Sequence, residues 1–149
     1  MGVDSSAVGN FAAPHKIEHE GVTYTISLID QNAKAEWERR LFARAVQVAD
    51  IIATSKGEAW KEGKLVELND EFMGGEFALL GEKSLKLLQT PGGIQLIMSI
   101  LTGRDILELA PLVMERNKEL QAMLHLVIRE SFPGLKIPPP STNGDSSPN

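Results

Sequence analysis

Three histidines and one knot of acids are the residues whose types could do chemistry. His15 and His19 lie four apart, and so on one face of a strand-like stretch, beside Glu18 and Glu20. An imidazole among carboxylates is the start of a metal-ligand set, which still needs a further ligand and a fixed geometry. A polar hairpin face explains the same residues with fewer assumptions. His125 sits between Leu124 and Leu126 in a helical pattern. No serine, cysteine or carboxylate is tied to it by a motif, so it reads as a boundary histidine rather than a base. Glu67, Asp70 and Glu71 are the densest acidic cluster. As paired carboxylates they would hold Mg²⁺ or do acid/base work. Their spacing is not that of a calcium loop. A solvated helix start, where the dipole favours negative charge, accounts for them.

The remaining signals are weaker. Gly74-Gly75 and Gly92-Gly93 stand in no phosphate-loop pattern, so packing is the favoured reading over anion binding. Arg39, Arg40 and Arg44 suit phosphate or an acidic partner, but Glu36 and Arg40 also have the i,i+4 order of an ordinary helix pair. The chain has no cysteine, which removes disulfides, thiolate catalysis and cysteine-ligated metals. Trp37, Trp60, Phe72 and Phe77 carry half of the aromatic content. Each reads as core, and any that is exposed becomes the leading anchor for a partner. The run Pro138-Pro139-Pro140 is a flexible terminus before it is a ligand for a groove.

These residues must be positioned by a mostly helical frame. At 149 residues, 42 % hydrophobic and 23 % charged, the chain fits one domain with tails. The net charge is −5, and only the segment 31–56 is basic. That opposes nucleic-acid binding, which draws its affinity from phosphate contacts. No basic start leads into an apolar run at the N-terminus, and the densest apolar run, Ile94 to Leu101, is too short to span a bilayer. A cytoplasmic protein is expected.

Along the chain, Met1 to Pro14 reads as a mobile arm. Period-two alternation over His15 to Ile29 reads as a hairpin turning at Gly21. Asn32 to Ile52 is the clearest helix, capped by Asp30 or Asn32 and ending near Gly57. Trp37, Leu41, Ala45, Val48 and Ile52 form its stripe, which Phe42, Val46 and Ala49 widen. A face that wide is expected to be buried against other helices. Glu58 to Leu68 is a short helix or an anchored loop, because Gly63 weakens a continuous helix. Asn69 then caps Asp70 to Met73. Glu76 to Leu88 reads as a second main helix, with Gly81 packing closely or marking a break. Thr90-Pro91 starts a nearly all-apolar helix that ends at Gly103. Asp105 caps a turn over Ile106 to Leu109, Pro111 begins or kinks a helix, and Leu112 to Ser131 is the last long one. Residues 137–149 read as a disordered Pro/Ser-rich tail.

The order of strand pair (Lys16 to Leu28), Trp- and Arg-rich helix (Trp37-Glu38-Arg39-Arg40-Leu41), Thr90-Pro91-Gly92-Gly93 before an apolar helix, and a glutamate-bearing helix (Glu115 to Glu130) resembles small bacteriophage tail assembly proteins of the tail-chaperone type. The resemblance implies a mostly helical cytoplasmic protein that acts on other phage proteins. It carries no site residue.

The reading is therefore a mainly α fold of about five helices in one domain over 15–136, with a small N-terminal hairpin (15–29) and disordered ends. Ile94, Ile97, Met98 and Leu101 are expected to be buried against Leu41, Val48, Leu120, Leu124 and Val127. The expected function is non-enzymatic protein interaction or assembly, with no cofactor and no catalytic or metal residues. Partner contact is expected at Trp37, Arg40, Arg44, Trp60 and Phe72. Partners would be proteins, including other phage tail proteins, with self-association an option and neither membrane nor nucleic acid expected. The alternatives are a metal-dependent enzyme using Glu67, Asp70, Glu71 and a histidine, and a helical regulator using Arg39, Arg40 and Arg44.

Overall fold

The computed structural model describes residues 15–134. The expected N-terminal arm, the end of the expected domain at 135–136, and the tail with Pro138-Pro139-Pro140 lie outside them. The elements run β1 (His15–His19), β2 (Val22–Ile26), α1 (Gln31–Lys56), α2 (Glu58–Met73), α3 (Glu82–Leu87), α4 (Pro91–Thr102), a 3-10 turn (Leu107–Leu109), α5 (Ala110–Glu115) and α6 (Asn117–Ser131). The described chain is thus mainly helical with one small hairpin. The described chain forms two compact units. The first holds residues 15–30 and 87–134, and the second is Gln31–Lys86.

In the first unit, β1 and β2 pair antiparallel with His19 opposite Val22. Only Glu20 and Gly21 lie between the strands, and both have positive φ, 52° and 81°. A two-residue hairpin turn with the twist of its strands requires that conformation. Ile17, Tyr24 and Ile26 are buried, with His19 on the same face, so one face of the hairpin is packed, as its alternation predicts. β2 lies on α4, where Ser27 donates both its N–H (3.2 Å) and its hydroxyl (3.1 Å) to the Leu101 carbonyl.

The helix α4 is central because its sequence leaves it no wet side. Ile94, Leu96, Ile97, Met98 and Leu101 are all buried. Thr90 caps it, its hydroxyl accepting the Gly93 N–H at 3.1 Å, Pro91 is its first residue, and Gly103 ends it with φ 73°. α5 and α6 pack beside it and bury Leu112, Val113, Leu120, Leu124 and Val127. Asp105 caps the 3-10 turn by accepting the Leu107 N–H at 2.8 Å, and Pro111 lies in the first turn of α5 rather than kinking a longer helix.

The helix expected over Leu112 to Ser131 is broken at Arg116, whose φ of −122° and ψ of 33° leave the helical region. The guanidinium of that residue donates to the Glu18 carbonyl (3.0 Å) and to Glu119 (2.7 Å). The break therefore falls where the hairpin docks, and no glycine or proline marks it in the sequence.

In the second unit, α1 and α2 pair along their length about Gly57. Ala49, Leu68 and Phe77 form the centre, with Leu41, Phe42, Ala45, Val46, Trp60 and Phe72 against it. This packing corrects two expectations. α2 runs unbroken through Gly63 and Asn69, because burial of its inner face outweighs the roughly 1 kcal/mol that an interior glycine costs. The helix expected over Glu76 to Leu88 shrinks to Glu82–Leu87. Phe77 and Leu79, two apart, are both buried, so residues 74–81 turn rather than coil, closed by Ala78 N–H to Gly75 O (3.1 Å) and Gly81 N–H to Ala78 O (2.9 Å).

The expected central core is corrected as well. Its α4 and α6 members hold, but Leu41 packs within the second unit and Val48 is 46 % exposed.

Candidate functional site

The residues singled out for chemistry do not assemble as the sequence suggests. All three histidines belong to the first unit, while Glu67, Asp70 and Glu71 belong to the second. These acids lie in the last two turns of α2, not at a helix start. The dipole there disfavours them, so exposure is what tolerates them. Glu67 and Asp70 face solvent, and Glu67 is 3.5 Å from Lys64. Among the described residues the one group of three His, Asp or Glu donors within ligand reach is His19, Glu20 and Glu115. The acidic cluster of the enzyme alternative is not part of it. The Gly93 N–H, a donor an anion would need, is taken by Thr90. His125 is half-buried on α6.

The five expected partner residues separate by depth. Trp37 is fully buried, and its indole N–H donates to the buried Ser84 hydroxyl at 2.8 Å, so it offers no surface. Phe72 and Trp60 are half-buried against the second unit's centre. Phe72 sits 5.0 Å from Phe42 and 6.5 Å from Phe77 between ring centres. Phe42 and Phe77, which the reading did not offer as partner residues, complete this aromatic triangle. Arg44 is exposed.

Arg39 and Arg40 both turn back onto Glu36, Nε to carboxylate at 3.1 and 2.7 Å. Hydrogen bonds from Arg39 first and Arg40 second hold the Glu36 carboxyl down at about 2, against the opposing pull of desolvation. Two of the three arginines are thus engaged within their own helix, which weakens a phosphate-reading role. A carboxyl lowered on folding contributes stability above its ordinary value and loses it on acidification. The parent is therefore expected to exceed Glu36→Gln in urea midpoint at neutral pH. That gap should close as pH falls from 4.5 towards about 2. The pair is on the surface, so the gap is small. Urea titrations of both proteins across that range check it.

A surface that the sequence does not mark lies on the stripe of α1 itself. Trp37 is buried and Leu41 is packed, yet Val48 and Ile52, further along that line, are exposed, and Ile51 beside them is 64 % exposed. Val48 stands three and four residues from Ile51 and Ile52, so the three share one face of α1. On α2, Val66 (62 % exposed) and Met73 (76 %) lie seven residues apart on one face. The signal was present in Ile51 and Val66. Both fall off the faces that α1 and α2 turn to each other, and a binary reading counts them only as more core.

The hairpin is held by polar bridges from its own unit. His15 Nε2 lies 2.9 Å from Glu130, and His19 Nε2 lies 2.9 Å from Glu115. The Ile29 N–H donates to the Ser131 hydroxyl at 2.8 Å. Glu18 meets Arg116 only through its backbone carbonyl. Compared with known proteins, the chain matches no family model, no curated protein and no solved structure.

Proposed function

We propose that this chain is a non-catalytic protein-binding protein of the phage tail-assembly chaperone kind, acting in the cytoplasm, whose working surface is the outer face of α1. The observation that carries this reading is the exposed aliphatic cluster Val48, Ile51 and Ile52, continuous with a stripe that is packed at its other end. Aliphatic side chains gain about 1.5–3 kcal/mol each on full burial, and a grouped set favours a partner over isolated exposure. An apolar segment of another tail protein would lie along α1, with Arg44 and Lys56 at the rim, both exposed. Charges at a rim set approach and orientation more than affinity. The proposal fits a chain in which no described helix is long and apolar enough to cross a membrane.

The test is a cross-linked pull-down from phage-infected host cells, with the parent and with Val48→Glu/Ile51→Glu. The parent is expected to recover a tail protein and the double variant to lose it. Both sites are solvent-facing, so each change should move folding stability by only about 0.5 kcal/mol, measured by thermal melting. Recovery of the same tail protein by both chains moves the binding surface elsewhere. Recovery of no tail protein by the parent ends the reading.

A further inference from the structure

We propose a divalent transition-metal site at the hairpin turn, formed by His19, Glu20 and Glu115. The sequence places an imidazole and a carboxylate side by side but offers no third ligand. The fold supplies one from 95 residues further along the chain than Glu20, at the last position of α5. The donor atoms of all three lie within 4.8 Å of one another. His19 is 8 % exposed, so its imidazole is fixed in the protein. Its Nε2 already stands 2.9 Å from Glu115 Oε1. A tetrahedral ion with bonds near 2.0–2.1 Å separates its ligands by about 3.3 Å, so this pair opens by only a few tenths of an ångström to admit one. Glu20 is exposed on the turn, with its carboxylate within 4.8 Å of the other two donors.

One nitrogen and two carboxylate oxygens suit Zn²⁺, Co²⁺ or Mn²⁺ with water completing the shell. Facing the Glu115 carboxylate, Nε2 donates its proton; the ion takes that nitrogen's lone pair as the Nε2 proton leaves to solvent and the ring keeps its proton on Nδ1. Arg116 follows Glu115 in the chain and brings a cation beside the set. It is engaged by Glu119 (2.6 Å) and by the Glu18 carbonyl (3.0 Å), so its charge is partly answered before an ion arrives. A bound ion would clamp the turn of the hairpin to the end of α5. The site uses residues of the first unit only, so it stands or falls apart from the α1 surface.

The experiment titrates the full-length chain, freed of metal, with Zn²⁺ by calorimetry and with Co²⁺ by visible absorption. The expected result is one ion per chain, with a Co²⁺ band that Zn²⁺ displaces. Glu20→Gln and Glu115→Gln should each weaken binding about tenfold or more, the loss usual even for an outer partner. Both positions are exposed, and circular dichroism of the metal-free variants checks that they fold. Glu67→Gln, in the other acidic cluster, should bind as the parent does. Absence of saturable binding overturns the site, and so does binding that survives both glutamine substitutions.

Discussion

Gly93→Ala is expected to lower stability by about 3 kcal/mol or more, a large share of the roughly 5–15 kcal/mol that holds a typical domain. A Cβ built at this residue falls 1.9 Å from the Leu87 carbonyl oxygen and 2.5 Å from its carbon. Those are backbone atoms, so no rotamer change relieves the clash. α4 would have to move away from the end of α3, at the cost of the buried contacts of Ile94, Ile97 and Met98. Gly92→Ala is the matched control. Gly92 is exposed, its Cβ would meet nothing within 4 Å, and alanine is a better helix former than glycine by about 0.5–1 kcal/mol. Urea unfolding followed by circular dichroism should therefore move in opposite directions for neighbouring glycines. A Gly93→Ala protein as stable as the parent would refute the close approach.

Trp37→Ala is expected to cost about 3–5 kcal/mol. It empties the largest fully buried side chain of the described residues and removes the donor to Ser84. Ser84→Ala probes the other half of that bond. It leaves the indole N–H buried without its acceptor, for about 1–3 kcal/mol. Ser84 also reaches the Phe77 carbonyl at 3.4 Å, so this one hydroxyl joins α1 to the turn before α3. In the double variant the two costs should add to less than their sum, because each single change already breaks the shared bond. Thermal melts of the three variants check the order and the coupling. Full additivity would show that the hydrogen bond contributes nothing beyond the volume of the ring.

What was legible in the sequence is what local chemistry decides. Alternation around Glu20-Gly21 places the hairpin, Thr90-Pro91 and Gly103 bracket α4, and Asp105 caps its turn. In each case a residue type has one cheap backbone use and the structure takes it. Misreadings arise where distant packing overrides a local preference. Gly63 and Asn69 look like helix interruptions but ride through α2, because Leu68 and Phe72 are held against α1. Arg116 looks like any surface residue, yet a helix ends there, beside the docked hairpin whose Glu18 carbonyl its guanidinium meets. The stripe of α1 read as core throughout, yet periodicity states which residues share a face and not how far along it the cover extends. The metal candidate divides in the same way. His19 and Glu20 are visible as neighbours, whereas Glu115 joins them only through the docking of the hairpin.

The unit that holds the hairpin is split in the chain, and that bears on how the protein emerges from a ribosome. Residues 31–86 form a contiguous unit that can collapse while later codons are still being read. The strands translated before them must wait. Ser27 needs the Leu101 carbonyl, and Ile29 needs the Ser131 hydroxyl, 102 residues away. During that interval the apolar face of Ile17, Tyr24 and Ile26 has no α4 to lie on, and an isolated two-stranded ribbon is marginal in water. Of the described elements, the first to be translated is thus among the last to be secured. A nascent chain stalled before residue 101 should leave that ribbon open to protease while α1 and α2 are already protected.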